Sequence, residues 1–334
     1  MAINLGAVRE KYGSIYSIQM GPKKVAVLSG YETVKDALVN YGEPFGEQSQ
    51  VPIFERLFEG KGKPFEVNTV MNASVANVIV SVLFRKRFDY QDTQFLRLLT
   101  LIGKNVKLIG GPRIVEKGTS TAYFSDENLV ALVSNLFVAG TETTASTLRW
   151  ALLLMLRYPE VQKNVCDEIT KVVGSAQPRI AHRTQMPYTD AVIHEVQRFA
   201  NILPTSLPHA TTTDVMFKNY YIPKSTEVIT LLTSVLRGQT QWEKPDTFNP
   251  EHFLTSTGKF VKKDAFMPFS AGRRMCAGES LAKMELFLFF TSLMQKFTFL
   301  PPPPGVSHLD LDLTPDIGFT TRPMPHKLRA LPKA

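Results

Sequence analysis

A cysteine set among glycines and arginines, in the stretch Phe269-Ser-Ala-Gly-Arg-Arg-Met-Cys-Ala-Gly278, carries the plainest chemistry in this chain. Directly after it Leu281, Met284, Glu285, Phe287, Leu288, Leu293 and Met294 recur at near-helical spacing, and neither Gly nor Pro returns before Pro301. Cys276 is therefore expected at a helix N-terminus. There the unpaired N–H groups and the positive end of the dipole favour the thiolate, the form that binds metal or attacks carbon. A small buried apolar role is the competing reading of any single cysteine. Gly272 and Gly278 permit a tight turn and the close approach of a flat group to the backbone, and Arg274 is placed to pair with an anionic group on that ligand.

These residues make a coherent haem-thiolate site. The pattern Phe-x-x-Gly-x-Arg-x-Cys-x-Gly, filled by Phe269, Gly272, Arg274, Cys276 and Gly278, resembles the cysteine loop of the cytochrome P-450 superfamily at all five fixed positions. The resemblance implies haem b with Cys276 as the axial thiolate on iron, a ligand that pushes electron density toward dioxygen and favours O–O cleavage.

The elements that must position such a site are mostly helical. The longest runs from an N-cap at Ser125, with Asp126 and Glu127 in the first turn, to Arg157, and spans about 50 Å at about 1.5 Å per residue. Its charge-free stretch, Asn128 to Thr141, is too short for a membrane span and reads as a buried central helix. In its middle lies Ala139-Gly-Thr-Glu-Thr-Thr144, where Gly140 and the threonines weaken the helix ladder. Close packing at Gly140, with hydroxyls bonded to the preceding turn, is one account. The other comes from the resemblance, which makes Glu142 and Thr143 an acid–alcohol pair relaying protons to dioxygen, and an acid beside a hydroxyl suits proton delivery.

Further helices are expected over Tyr31 to Val39, Asn68 to Phe84, Thr93 to Lys107, Pro159 to Val172 and Tyr188 to Ala200, and a hairpin over residues 14–28 with its turn at Gly21 to Lys24. A second small sheet is expected from Val215 to Tyr221 and Val228 to Leu232, and a closing hairpin from Leu309 to Leu313 and Ile317 to Thr321. Glu195 and Arg198 stand at i and i+3 on one helix face and can pair. By resemblance they form the superfamily's Glu-x-x-Arg brace, with His252 of Phe248-Asn-Pro-Glu-His-Phe253 in place of the usual Arg, a variant shared with the vertebrate family-2 microsomal enzymes. The resemblance also makes His209 a propionate partner beside Arg274 and lines the substrate space with Ile202 to Thr205. A solvated loop residue is the plain alternative for both histidines.

Composition narrows the rest. The formal charge of +8 is scattered, without a basic run interleaved with aromatics, so nucleic acid is excluded in favour of an acidic protein partner, an anionic membrane surface or a solvated face. Two cysteines, Cys166 and Cys276, exclude a disulfide framework and a Cys-rich zinc site, and Cys166 is expected in a helix core. The N-terminus shows no signal peptide or span. The resemblance implies a single mainly α domain with small β-sheets over residues 1–334, an endoplasmic reticulum location for relatives, and a cytoplasmic one for a chain without an anchor. It implies small apolar substrates and electrons from NADPH through a flavin-containing cytochrome P-450 reductase, docking near Arg273 and Lys283, with cytochrome b5 as a second donor. Three pieces of the family pattern are missing: the membrane helix, the Trp-x-x-x-Arg region with a junction near residues 60–63, and the substrate-lid helices with a junction near 112–121. Two rival functions follow, an inactive truncated isoform with weak or no haem binding, and a thiol nucleophile pairing Cys276 with His252 or His209.

Overall fold

Alternating apolar residues build the first hairpin, in which β1 (Ile15–Met20) runs antiparallel to β2 (Lys23–Ser29) with Ile15 opposite Leu28 and Met20 opposite Lys23. Lys23 and Lys24 thus belong to the strand, not to the turn expected to include them. The structure is a computed structural model that describes residues 11–20, 23–41, 44–45, 47–48, 67–84, 87–89, 92–100, 126–301, 307–326 and 328–333. The Ser125 N-cap, the end of the expected Thr93 to Lys107 helix and the junctions near 60–63 and 112–121 lie outside these residues.

After β2 comes α1 (Tyr31–Lys35), which widens into a turn over Asp36–Asn40 closed by the Tyr41 N–H donating to the Asp36 carbonyl at 3.0 Å. This turn faces the cysteine loop, as described below. Next are β3 (Glu47–Gln48), α2 (Val67–Phe84), α3 (93–100) and the long α4 (Asp126–Arg157). Two further helices, α5 (Pro159–Val172) and α6 (Pro187–Ala200), each begin on a proline whose missing N–H would have had no partner in the first turn.

The middle of the chain corrects one expectation. Val215 to Tyr221 is not one strand but a hairpin of β5 (Val215–Phe217) and β6 (Tyr220–Ile222), because Lys218 and Asn219 take φ of 47° and 67°, the left-handed pair of a two-residue turn. β7 (Glu227–Leu231) does not join that hairpin. It lies parallel to β2 and antiparallel to β4 (His209–Ala210), giving a sheet of order β1-β2-β7-β4-β3. Its burial explains the choice: Val228 packs in one apolar cluster with Leu28, and Ile229 and Leu231 pack in another with Val27, so both faces of the strand are covered.

A short helix α7 (Leu232–Leu236) leads through irregular chain to the cysteine loop and α8 (Glu279–Lys296). β8 (Phe297–Leu300) pairs with β11 (Arg329–Pro332), a pairing the sequence reading did not anticipate, and β9 (Pro315–Ile317) pairs with β10 (Thr321–Pro323) in a closing hairpin offset from the expected one, with residues 318–320 forming the turn where its second strand was expected. Leu309 lies in a single 3-10 turn instead of a strand. The main apolar core gathers α4, α5, α6 and α8 around Leu148, Leu154, Val165, Val196, Phe287 and Phe290. The fold is mainly α with small sheets, as expected, and no helix among the described residues is long and apolar enough to cross a membrane.

Candidate active site

The cysteine loop is held by its own backbone. The Cys276 N–H donates to the Phe269 carbonyl at 3.0 Å, Met275 N–H to Gly272 at 3.2 Å, and Glu279 N–H to Cys276 at 3.3 Å as α8 begins. Ser270 and Gly272 take φ of 63° and 74° to make the reversal. A Cβ on Gly272 would overlap the Leu38 carbonyl, so this glycine serves the turn and the packing against the Asp36–Asn40 segment. Gly278 differs. Its φ of −87° suits any residue, and an added Cβ would find only the Cys276 sulfur, at 3.8 Å. Space for a flat group beside the backbone is thus present at Gly278, whereas the Leu38 carbonyl fills the position beside Gly272. Gly272→Ala is expected to cost at least about 1–3 kcal/mol from the left-handed φ, with the Leu38 overlap adding to it. Chemical denaturation checks this, and Gly278→Ala should by contrast leave stability nearly unchanged.

Cys276 is exposed, at the helix N-terminus where it was expected, but the protein does not favour its thiolate. Enough protein surrounds the sulfur that burial raises its pKa, nearby Glu279 raises it further, and the Gly278 N–H opposes both. The expected activation fails because one donor does not offset desolvation and an acid in the first turn. Neither His209 nor His252 is hydrogen-bonded to the sulfur, so the thiol-nucleophile reading has no base among the described residues. Nor do these residues contain a cluster of three or more His, Cys, Asp or Glu able to hold a bare metal ion. One exposed sulfur with clear space beside Gly278 fits a metal whose remaining ligands arrive with it, as in haem.

His209 is not solvated but buried at 2% exposure on β4, its Nδ1 donating to the Phe45 carbonyl at 2.9 Å. Burial, with the nearby Arg274 charge as a lesser cause, pushes its pKa down, although the Phe45 bond works the other way. Arg274 is exposed, and its field at His209 places the two in one neighbourhood.

On α4 the plain account of the Gly140 patch is what the side chains do. A Cβ at Gly140 would meet Ile79 Cδ1 of α2 at 2.8 Å, and the Thr143 and Thr147 hydroxyls donate to the Ala139 and Thr143 carbonyls at 2.7 and 2.9 Å. Glu142, 2% exposed, is not a free acid. Its Oε1 accepts from Ser146 Oγ at 2.9 Å and Arg149 Nη2 at 3.1 Å and forms an ion pair with Arg322 of β10, whose Nε lies 3.0 Å away, while Oε2 is buried without a partner.

Glu285, within the first two turns of α8, faces Thr144 of the same patch. Burial lifts its carboxyl from the usual 4.5 to about 7 against the opposing Thr144 hydrogen bond, and its Oε1 has no partner. Because the folded pKa is raised, the stability associated with this group is fully present below about pH 4.5 and is lost as pH rises through about 7. Glu285→Gln should therefore match the native protein in acid and exceed it by up to about 3 kcal/mol above neutrality, a difference that denaturation at several pH values measures.

The Glu195, Arg198 and His252 set is brought together as expected, and more deeply than an ordinary ion pair. Glu195 and Arg198 are both fully buried and joined by two bonds of 2.7 Å. Arg198 also donates to the carbonyls of Leu236, Pro245 and Thr247 at 2.9, 2.7 and 3.0 Å, and Glu195 accepts from the Asn249 N–H at 2.8 Å. His252 sets Nδ1 3.2 Å from Glu195 and Nε2 2.6 Å from the Glu243 carbonyl. Cys166, expected in the core, is half-buried, with Lys333 Nζ 2.9 Å from its sulfur. Sequence reasoning missed Arg149 and Arg322 as partners of Glu142, and missed the burial of Glu285, for which a lone acid in an apolar helix was the available signal.

The family model for Cytochrome P450 matches residues 2–63 and 113–330. Cytochrome P450 2K6 of Danio rerio is 40% identical over 442 residues, covering 99% of this chain and 87% of that protein. Cytochrome P450 2C5 of Oryctolagus cuniculus is 36% identical with 97% and 88% covered, and cytochrome P450 2J2 of Homo sapiens 35% identical with 97% and 86% covered. These alignments span 442, 431 and 434 positions against the 334 residues here, so the relatives carry residues without a counterpart in this chain. With one exposed thiol at the head of α8, a mainly helical fold and relatives of this similarity across nearly its whole length, the chain belongs to the cytochrome P450 family of haem-dependent monooxygenases.

Proposed function

We propose that this chain inserts one oxygen atom from O2 into small apolar organic substrates such as fatty acids, steroids or xenobiotics. The observation that carries the reading is the exposed Cys276 sulfur, in a backbone-pinned loop with open space beside Gly278. Bound haem supplies the iron at which dioxygen is reduced and its O–O bond cleaved. Cys276 Sγ holds that iron, Phe269 and Gly278 flank the ligand, and Arg274 and His209 take its carboxylates. Because His209 already uses Nδ1 as a donor to Phe45, it serves a carboxylate as a donor only after taking a proton on Nε2. Glu142 and Thr143 hold the protons that the reduction consumes, with Glu142 Oε2 as the buried oxygen left for a water. Glu195, Arg198 and His252 hold the chain that leads into the loop.

Electrons come from NADPH through a flavin-containing cytochrome P450 reductase on the side of Arg273 and Lys283, with cytochrome b5 as a second donor at the endoplasmic reticulum surface. The residues form one domain. The reduced, carbon-monoxide-bound spectrum of the haem-loaded protein tests this reading: a thiolate-type band is expected, and its absence defeats it. A second reading, a short form that retains haem weakly and does not turn over, draws on the relatives' extra residues and on residues 64–112 lying outside the family match. Stoichiometric haem with reductase-supported turnover eliminates it.

A further inference from the structure

The closing hairpin meets α4 through Thr321 and Arg322 of β10. Thr321 of β10 is tied down on both sides, its N–H donating to the Ile202 carbonyl at 2.9 Å and its hydroxyl bonding the Ala200 and Asn201 carbonyls at 3.0 and 2.9 Å. Trp150 of α4 donates to the Thr321 carbonyl at 3.4 Å. Next to this anchor Arg322, 8% exposed, sets Nε 3.0 Å from Glu142 Oε1. Arg149 and Ser146 donate to the same oxygen from α4 itself, and the Arg322 Nε–H is directed at Thr320 Oγ1, 3.4 Å away, so two hydrogen bonds and one ion pair converge on Oε1 and none on Oε2. Arg322 Nη2 is likewise buried without a partner.

A carboxylate on a helix rotates about its side-chain bonds unless something outside the helix stops it. Arg149 and Ser146 are on the same helix and turn with the backbone that carries Glu142. Of these three partners, Arg322 is the one attached to a separate, independently anchored element, and it acts through the charge of its guanidinium. We propose that Arg322 is the positioning residue of Glu142, fixing Oε1 from the hairpin so that Oε2 stays directed at a site for water. This rests on the reading that Glu142 handles protons, and it assigns the C-terminal hairpin a part in that task.

The test uses the full chain with [13C]glutamate, in which the Glu142 carboxylate stretch is the infrared band lost in Glu142→Gln. Arg322→Met is expected to shift that band and Arg322→Lys to restore most of its position. Unfolding of Arg322→Met, Glu142→Gln and the double variant should show a coupling of about tenfold in the unfolding constant. In haem-loaded protein with reductase, the solvent isotope effect on turnover should change in Arg322→Met and return in Arg322→Lys. A brace without a positioning role would lower stability while leaving the band and the isotope effect where they were, and that result overturns the proposal, as does zero coupling. Absence of turnover in the native chain defeats the proton-handling reading instead, and the infrared band then decides Arg322 alone.

Discussion

Cys276→Ala is expected to give a folded protein whose haem complex has lost the thiolate-type band in the reduced, carbon-monoxide-bound state. Folding survives because the loop is closed by backbone bonds, Cys276 N–H to Phe269 and Met275 N–H to Gly272, which alanine keeps. The side chain is exposed, so its removal should change stability by no more than about 0.5 kcal/mol. The chemical change is by contrast complete, since alanine has no donor for iron. The raised pKa of the thiol sharpens the expectation. Desolvation and Glu279 favour the neutral sulfur, so the thiolate is formed with release of a proton to the medium as the metal binds, and haem uptake should become tighter with rising pH. Spectra of both proteins at matched haem load, with denaturation curves beside them, make the check. A band that persists in Cys276→Ala would move the ligand elsewhere, and Cys166 is the other cysteine in the chain, half-buried against the Met294 carbonyl and Lys333.

The parts of this site that were legible in the sequence are those written in local spacing. Ten consecutive residues carry the cysteine loop, and Glu195 and Arg198 announce a shared face by standing one turn apart. The helices from α4 to α6 show themselves through periodic apolar residues bounded by Pro159, Gly174 and Pro187. Partner choice was not legible. Nothing near β7 says that it pairs parallel to β2, because a run of apolar residues fits any buried strand. Gly272 is required partly by Leu38, and Glu142 is tied to Arg322, each across most of the chain. Electrostatics were the least legible of all. A helix N-terminus suggested an activated sulfur, yet the balance among one N–H donor, an acid in the first turn and desolvation is set by burial that no spacing reveals.

Glu195→Ala is expected to destabilise the protein by about 3–5 kcal/mol, a large part of the 5–15 kcal/mol that separates folded from unfolded domains. The carboxylate neutralises a guanidinium that is fully buried, and removing it leaves Arg198 charged in the core with only the carbonyls of Leu236, Pro245 and Thr247. It also strips the acceptor from the Asn249 N–H and from His252 Nδ1. Circular dichroism through a urea titration measures the loss, and retained haem after gel filtration shows how far it spreads. The penalty is one of an orphaned charge more than of a lost attraction, which gives a second outcome to look for. The double variant Glu195→Ala with Arg198→Met should recover part of the stability, since it removes the stranded cation along with its partner. If the double variant were no more stable than Glu195→Ala, the three carbonyl bonds of Arg198 would be the dominant contribution. The brace would then act mainly by tying residues 236, 245 and 247 to α6, and a carboxylate at 195 would matter chiefly for orienting the guanidinium toward them.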